Sequence, residues 1–226
     1  MKFKAIAKAS LALGMLATGV ITSNVQSVQA KAEVKQQSES ELKHYYNKPI
    51  LERKNVTGFK YTDEGKHYLE VTVGQQHSRI TLLGSDKDKF KDGENSNIDV
   101  FILREGDSRQ ATNYSIGGVT KSNSVQYIDY INTPILEIKK DNEDVLKDFY
   151  YISKEDISLK ELDYRLRERA IKQHGLYSNG LKQGQITITM NDGTTHTIDL
   201  SQKLEKERMG DSIDGTKINK ILVEMK

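Results

Sequence analysis

The sequence has no cysteine and no tryptophan, and only two prolines in 226 residues. Without cysteine there is no disulfide scaffold, no thiolate metal site and no cysteine nucleophile. A charge excess of one sign is also missing. Lys plus Arg number 34 and Asp plus Glu 32, a formal net charge of +2. A dedicated nucleic-acid binder normally carries a strong basic excess, so nucleic acid is not an expected partner. Apolar residues make up 36%. That share, with a net charge near zero, excludes disorder as the main state. Long hydrophobic runs are absent as well. The apolar stretch Leu11–Ile21 is about half of the roughly 20 residues that a spanning helix needs, and no later stretch does better. No membrane insertion is expected.

That short stretch belongs to a leader. Lys2, Lys4 and Lys8 precede it, and Val28-Gln29-Ala30 places small residues three before and one before a cut. These are the three parts of a secretory signal peptide, residues 1–30, which leaves a secreted chain starting near Lys31. With those three lysines gone, the 34 basic residues become 31 against 32 acidic, a net of −1. Long-range attraction to nucleic acid or to a membrane surface then has no source. An exported chain without disulfides fits a bacterial protein better than a small animal extracellular domain.

Two halves follow, with different patterns. After a helical segment at Glu41–Tyr46, strand signals dominate the first half: Thr57–Thr62, Tyr68–Val73, Arg79–Leu83, Ile98–Leu103 and Ser115–Thr120. Ser85–Asn97 reads as a solvated, charged loop. Five short strands with turns between them indicate a small barrel or sandwich, of OB type by loop density. Lys121–Gln126 is polar and reads as a linker. The second half alternates strand and helix. Strands are expected at Pro134–Lys140, Phe149–Ile152 and Ile218–Met225. A hairpin is expected from Gln185–Met190 to Thr194–Leu200 through Asn191-Asp192-Gly193. The strongest helix signal starts at Ser158 and Glu161, read as a capping box. Leu159, Leu162, Leu166 and Ala170 form its apolar stripe, and Gly175 stops it. A helix across a mixed sheet makes this an α+β domain, and the whole chain mostly β.

Two stretches carry a more specific signal. One is Ser115-Ile116-Gly117-Gly118-Val119-Thr120, with Asn123 shortly after. The other runs from Lys154 through Ile157, Leu162-Asp163 and Arg167 to Leu176-Tyr177. Together they resemble the paired signatures of the staphylococcal and streptococcal superantigen toxins. Ile116 stands where the toxins usually have Tyr, and Ala170 where a larger aliphatic is usual. The runs Ile157–Asp163 and Glu207–Asp211 are similar to those of the staphylococcal superantigen-like proteins, and the resemblance covers nearly the whole chain. It implies an N-terminal OB barrel, residues 31–121, and a C-terminal β-grasp domain, residues 127–226. It also implies secreted virulence proteins that lack T-cell superantigen activity. Their partners would be host extracellular immune or matrix proteins or sialylated glycoproteins, bound to suppress innate immunity without a cofactor. A homodimer stays open. The signature residues Gly117, Gly118, Val119, Thr120, Lys154, Leu162, Asp163, Arg167 and Tyr177 are read as structural. The glycines permit close backbone approach at a barrel corner, and Asp163 and Arg167 can pair at four-residue spacing.

Three site classes remain. The resemblance places a sialic-acid site on Thr195–Ser201 and the turn beyond. Alternation puts Thr197 and Asp199 on one polar face. Arg208 is the cation suited to a carboxylate sugar. Asp199 stands where a longer Glu is usual and Ser201 where a Lys is usual, which reads as a degraded site. No metal is expected, because none of the five histidines pairs at ligand spacing and there is no cysteine. Catalytic residues stay unassigned. No nucleophile elbow, His-Glu-x-x-His or phosphate loop is present. The sequence favours a binder over an enzyme, with a secreted protease of host matrix proteins and cytokines as the rival class.

Overall fold

The computed structural model describes residues 37–106, 111–126 and 129–226. The expected leader, residues 1–30, lies outside the described residues. The first described element is helix α1 (Glu39–Tyr46). Ser38 caps it: its Oγ accepts from the Glu41 amide, while the Glu41 carboxylate accepts from the Ser38 amide. The buried side of α1 carries Leu42, Tyr45 and Tyr46.

Next come β1 (Ile50–Asp63), β2 (Lys66–Val73), β3 (Gln76–Leu82), helix α2 (Asp86–Lys89), β4 (Gly93–Leu103), β5 (Thr112–Ile116) and β6 (Val119–Lys121). They form one sheet in the order β5-β3-β2-β1-β4-β6. Only the β3–β5 pairing is parallel. β5 and β6 are two halves of one run, broken at Gly117-Gly118, and they sit on opposite edges of the sheet. The break therefore closes the sheet into a barrel. The Gly117 amide bonds the Thr81 carbonyl at 2.9 Å, and the Phe101 amide bonds the Gly118 carbonyl at 2.8 Å. Leu69, Val71, Ile80, Leu82, Ile98, Val100 and Val119 fill the interior.

The second half holds β7 (Ile135–Lys140), β8 (Glu143–Phe149), β9 (Asp156–Ser158), α3 (Leu159–His174), β10 (Gly184–Met190), β11 (Thr195–Asp199), β12 (Ser212–Asp214) and β13 (Ile218–Met225). The main sheet has the order β11-β10-β13-β7-β8, with β13 and β7 parallel. β9 and β12 pair separately. Leu162, Leu166 and Ala170 of α3 share one core with Leu136, Ile138, Ile186, Ile188, Ile221 and Val223 of the sheet. Leu42, Tyr45 and Tyr46 of α1 join that core, as do Phe101 and Leu103 of β4. Thus α1 precedes the barrel in sequence but packs with the helix of the second half. Among the described residues, no helix is long and apolar enough to cross a membrane.

Three expectations need correction. β1 begins at Ile50, seven residues before the expected strand. Its first half carries Glu52, Arg53 and Lys54 and a bulge near Asn55, which conceal the alternation. The segment read as a solvated loop, Ser85–Asn97, contains α2 and the start of β4. Its charges are partly committed: Lys89 reaches Asp156 and Ser212, and Asp86 is buried. The strand expected at Phe149–Ile152 is instead Glu143–Phe149. β8 is an edge strand and almost wholly exposed, so it has little apolar pattern to read.

Candidate functional site

The hairpin β10–β11 forms as its Asn-Asp-Gly turn demands, with Gly193 at φ 84°. β11 is the other edge of the main sheet. Thr195, Thr197 and Asp199 are exposed, Ile198 is buried and His196 is half-buried. The polar face therefore points to solvent, with the parity read from the sequence. The Asp199 carboxylate is turned onto the next bend, where it accepts from the Ser201 amide at 2.8 Å. Arg208 lies on a 3₁₀ turn, Lys206–Gly210, and its Nη1 stands 3.3 Å from Glu205. The structure thus places Thr197 and Asp199 together on one face. It gives Arg208 an ion pair inside its own turn.

The second signature converges beneath this strand. Asp163 and Arg167 face each other across one turn of α3, Nε to Oδ1 at 2.5 Å. Arg167 Nη2 donates to the Asp199 carbonyl at 2.8 Å, and Nη1 to the Leu200 carbonyl at 3.1 Å and to the Tyr177 hydroxyl. Tyr177 in turn donates to the Leu200 carbonyl at 2.8 Å. Tyr46 donates to Asp163 Oδ2 at 2.6 Å, and its oxygen accepts from the Leu204 amide at 3.3 Å. Burial works against the charge on Arg167, and Asp163 more than offsets it, leaving the guanidinium pKa raised. A buried cation, its carboxylate and two tyrosines therefore fix the end of β11 and the segment leading to Arg208. Tyr46 was not singled out by the sequence, because its partner lies 117 residues away.

The remaining signature residues sit at the junction of the two halves. Gly117 and Gly118 have φ of 55° and 81°. The Gly118 amide bonds the Met209 carbonyl at 2.9 Å. Val119 and Thr120 are buried in β6, and Leu162 is buried in the larger core. Lys154 is buried, with Nζ 2.7 Å from Glu161 and 3.2 Å from Glu52. This corrects the capping-box reading of α3. Ser158 Oγ does accept from the Glu161 amide at 3.1 Å, but the Glu161 carboxylate turns to Lys154 and to Arg165 Nε at 2.8 Å.

For the enzyme alternative, the described histidine contacts are instructive. His77 Nδ1 shares a hydrogen with Thr72 Oγ1 at 2.9 Å, and its Nε2 is 3.7 Å from Glu70. Glu70 is already engaged by Arg79 and Tyr61. Among the described residues, no group of three or more His, Asp or Glu is placed to hold a metal ion.

Both halves match known domain families. Residues 40–123 match the staphylococcal superantigen-like OB-fold domain, and residues 131–225 the staphylococcal/streptococcal toxin β-grasp domain. The chain belongs to the staphylococcal superantigen-like family. Superantigen-like protein 11 of Staphylococcus aureus (strain Newman) is 45% identical over the whole of both chains. A solved Staphylococcus aureus chain assigned as exotoxin 3 is 99% identical with a TM-score of 0.82, covering 84% of this chain and 100% of that one. The superantigen-like protein SSL5, solved in complex with sialyl Lewis X, is 39% identical with a TM-score of 0.79 at the same coverage. The OB barrel and the β-grasp domain expected for the superantigen-like family are thus both present.

Proposed function

We propose that this superantigen-like chain is a secreted, non-catalytic virulence factor. It binds host extracellular immune or matrix proteins and suppresses innate immunity without T-cell superantigen activity. The observation that carries the reading is full-length membership of a family whose fold here presents two exposed sheet edges, β8 and β11. The leader expected from the sequence at residues 1–30 supports export. Incubation with purified matrix proteins and cytokines tests it. Stable, stoichiometric complexes are expected. Fragments that accumulate at substoichiometric protein, and vanish with one Ser, His or Asp substitution, would replace it with the protease reading.

A second reading is favoured by the sialyl Lewis X complex of the 39% identical SSL5. Thr197, Asp199 and Arg208 would take a sialylated glycan on the β11 edge, with the guanidinium on the sugar carboxylate. The Arg167 network holds that strand end in place. The shorter Asp199, held by the Ser201 amide, and the engaged Arg208 both argue for weaker affinity than a full site. Sialylated hits on a glycan array that Arg208→Ala removes would support the reading, and no sialylated hit at all would end it.

A further inference from the structure

The outer face of the barrel carries an arrangement that neither reading uses. Phe59 on β1, Glu70 on β2, Arg79 on β3 and Tyr114 on β5 are consecutive cross-strand neighbours. They form one row across four strands. Neighbouring strands lie about 4.8 Å apart, so the row spans about 14 Å. Its two ends are exposed rings: Phe59 is 57% and Tyr114 41% accessible. Its middle is an ion pair. Arg79 Nε and Nη2 stand 2.9 Å and 2.8 Å from Glu70 Oε1, and Tyr61 donates to the same oxygen at 2.9 Å. Among the described residues, Glu70 Oε2 and Arg79 Nη1 take no partner. Both side chains are partly exposed, 28% and 38%. The guanidinium also lies within 6.0 Å of the ring centroids of Tyr61, Tyr68 and Tyr114, whose faces attract its charge.

We infer that this row is a binding site for a neutral oligosaccharide laid across the strands. Pyranoses present patches of C–H on their faces and hydroxyls on their edges. The C–H hydrogens are attracted to the negative face of an aromatic ring. Adjacent hydroxyls, each both donor and acceptor, fit a free carboxylate oxygen beside a free guanidinium nitrogen. The row supplies ring, acceptor, donor and ring in that order, over the length of a short oligosaccharide. Glu70 and Arg79 cancel in charge, which favours a neutral chain over a sialylated or sulfated one. The geometry is fixed before binding, because the aromatic contacts and the shared Oε1 hold both charged groups in place. The site lies on the barrel and does not depend on β11 or Arg208.

Isothermal titration calorimetry of the purified protein with lacto-N-neotetraose, maltotetraose and N-acetylchitotetraose tests it. None of these sugars carries an acid group. Saturable binding of at least one is expected, weakened at least about tenfold by Tyr114→Ser and by Arg79→Met. Arg208→Ala is expected to leave it unchanged. Tyr114→Ser alters an exposed ring, so it tests the site even where Arg79→Met unsettles the barrel. The inference is overturned if none of the sugars binds the wild-type protein. It is equally overturned if Arg208→Ala abolishes binding while Tyr114→Ser keeps it. Capture of a deglycosylated host protein that depends on Tyr114, with no sugar binding, would mark the row as a protein contact instead.

Discussion

Gly117 packs directly against Met209: a Cβ built on Gly117 would fall 2.1 Å from the Met209 carbonyl oxygen. That oxygen already accepts from the next amide, Gly118, at 2.9 Å. The contact joins the closing corner of the barrel to the 3₁₀ turn that carries Arg208. A side chain here meets backbone, which cannot give way as a flexible side chain can, and the φ of 55° adds a left-handed penalty.

Gly117→Ala is therefore expected to cost about 2–4 kcal/mol in urea unfolding. Gly65→Ala is the control. It shares a positive φ, 74°, but has nothing within 4 Å of its Cβ position, so about 1 kcal/mol is expected. Equal costs for the two would remove the steric argument and leave conformation alone.

Arg167 is fully buried and answers to Asp163, Tyr177 and two carbonyls. Arg167→Met leaves the Asp163 carboxylate facing Tyr46 without its cation. A loss of about 3–5 kcal/mol is expected from that uncompensated buried charge. Tyr177→Phe removes one neutral hydroxyl and is expected to cost about 1–2 kcal/mol. Hydrogen exchange at Ser201 and Leu204 should quicken in both variants. Unchanged protection there would show that the network does not brace the end of β11.

The residues of that network were legible as a family mark, and their spacing gave the Asp163–Arg167 pair. Their joint action on Leu200 was not legible, because Leu200 is 33 residues beyond Arg167 and Tyr46 is 117 residues before Asp163. The same limit governs the fold. Helix α3, the β10–β11 hairpin and β13 are marked by local caps, turn residues and alternation, and they lie close to where the sequence puts them. β8 and the start of β1 carry charges whose partners are distant: Asp148 meets Arg169, and Glu52 meets Arg165. At the β11 site, the polar face followed from parity. The pairing of Arg208 with Glu205 depended on a turn geometry that alternation does not encode.

Lys154 offers a second test of buried charge. Its ammonium serves Glu161, Glu52 and, at 4.0 Å, Asp99, so removing it leaves three carboxylates with Arg165, on Glu52 and Glu161, as their remaining cation. Lys154→Met is expected to destabilise by about 3 kcal/mol or more. Adding Glu161→Gln to it should recover part of that loss, because one of the repelling charges is gone. A double variant that is merely additive would mean that Lys154 acts through packing of its stem and not through its charge.

Asp86 sets the pH dependence of the junction. Both carboxylate oxygens are buried, with the backbone amide of Val119 near enough to favour their charge. Lys89 on its own helix and the Val119 amide of β6 pull toward ionisation, while Asp156 of β9 and Asp211 after the 3₁₀ turn oppose it. Burial dominates and pushes the pKa up to about 8, from 3.8. The folded state therefore holds this proton more tightly than the unfolded state. Its contribution is full below about pH 4, falls as pH rises toward 8, and is flat above. Asp86→Asn does not titrate, so its advantage over wild type should grow across that window, by up to about 1.4 kcal/mol per pH unit. Lys160 of α3 acts in a separate window. Burial lowers its pKa to about 8 from 10.5, so its charge disfavours folding below pH 8 and stability recovers between 8 and 10.5. Unfolding free energies of wild type, Asp86→Asn and Lys160→Met at pH 5, 7, 8.5 and 10 separate the two. A variant-to-wild-type difference for Asp86→Asn that is constant from pH 5 to 8 would show that the carboxyl titrates normally in the folded protein.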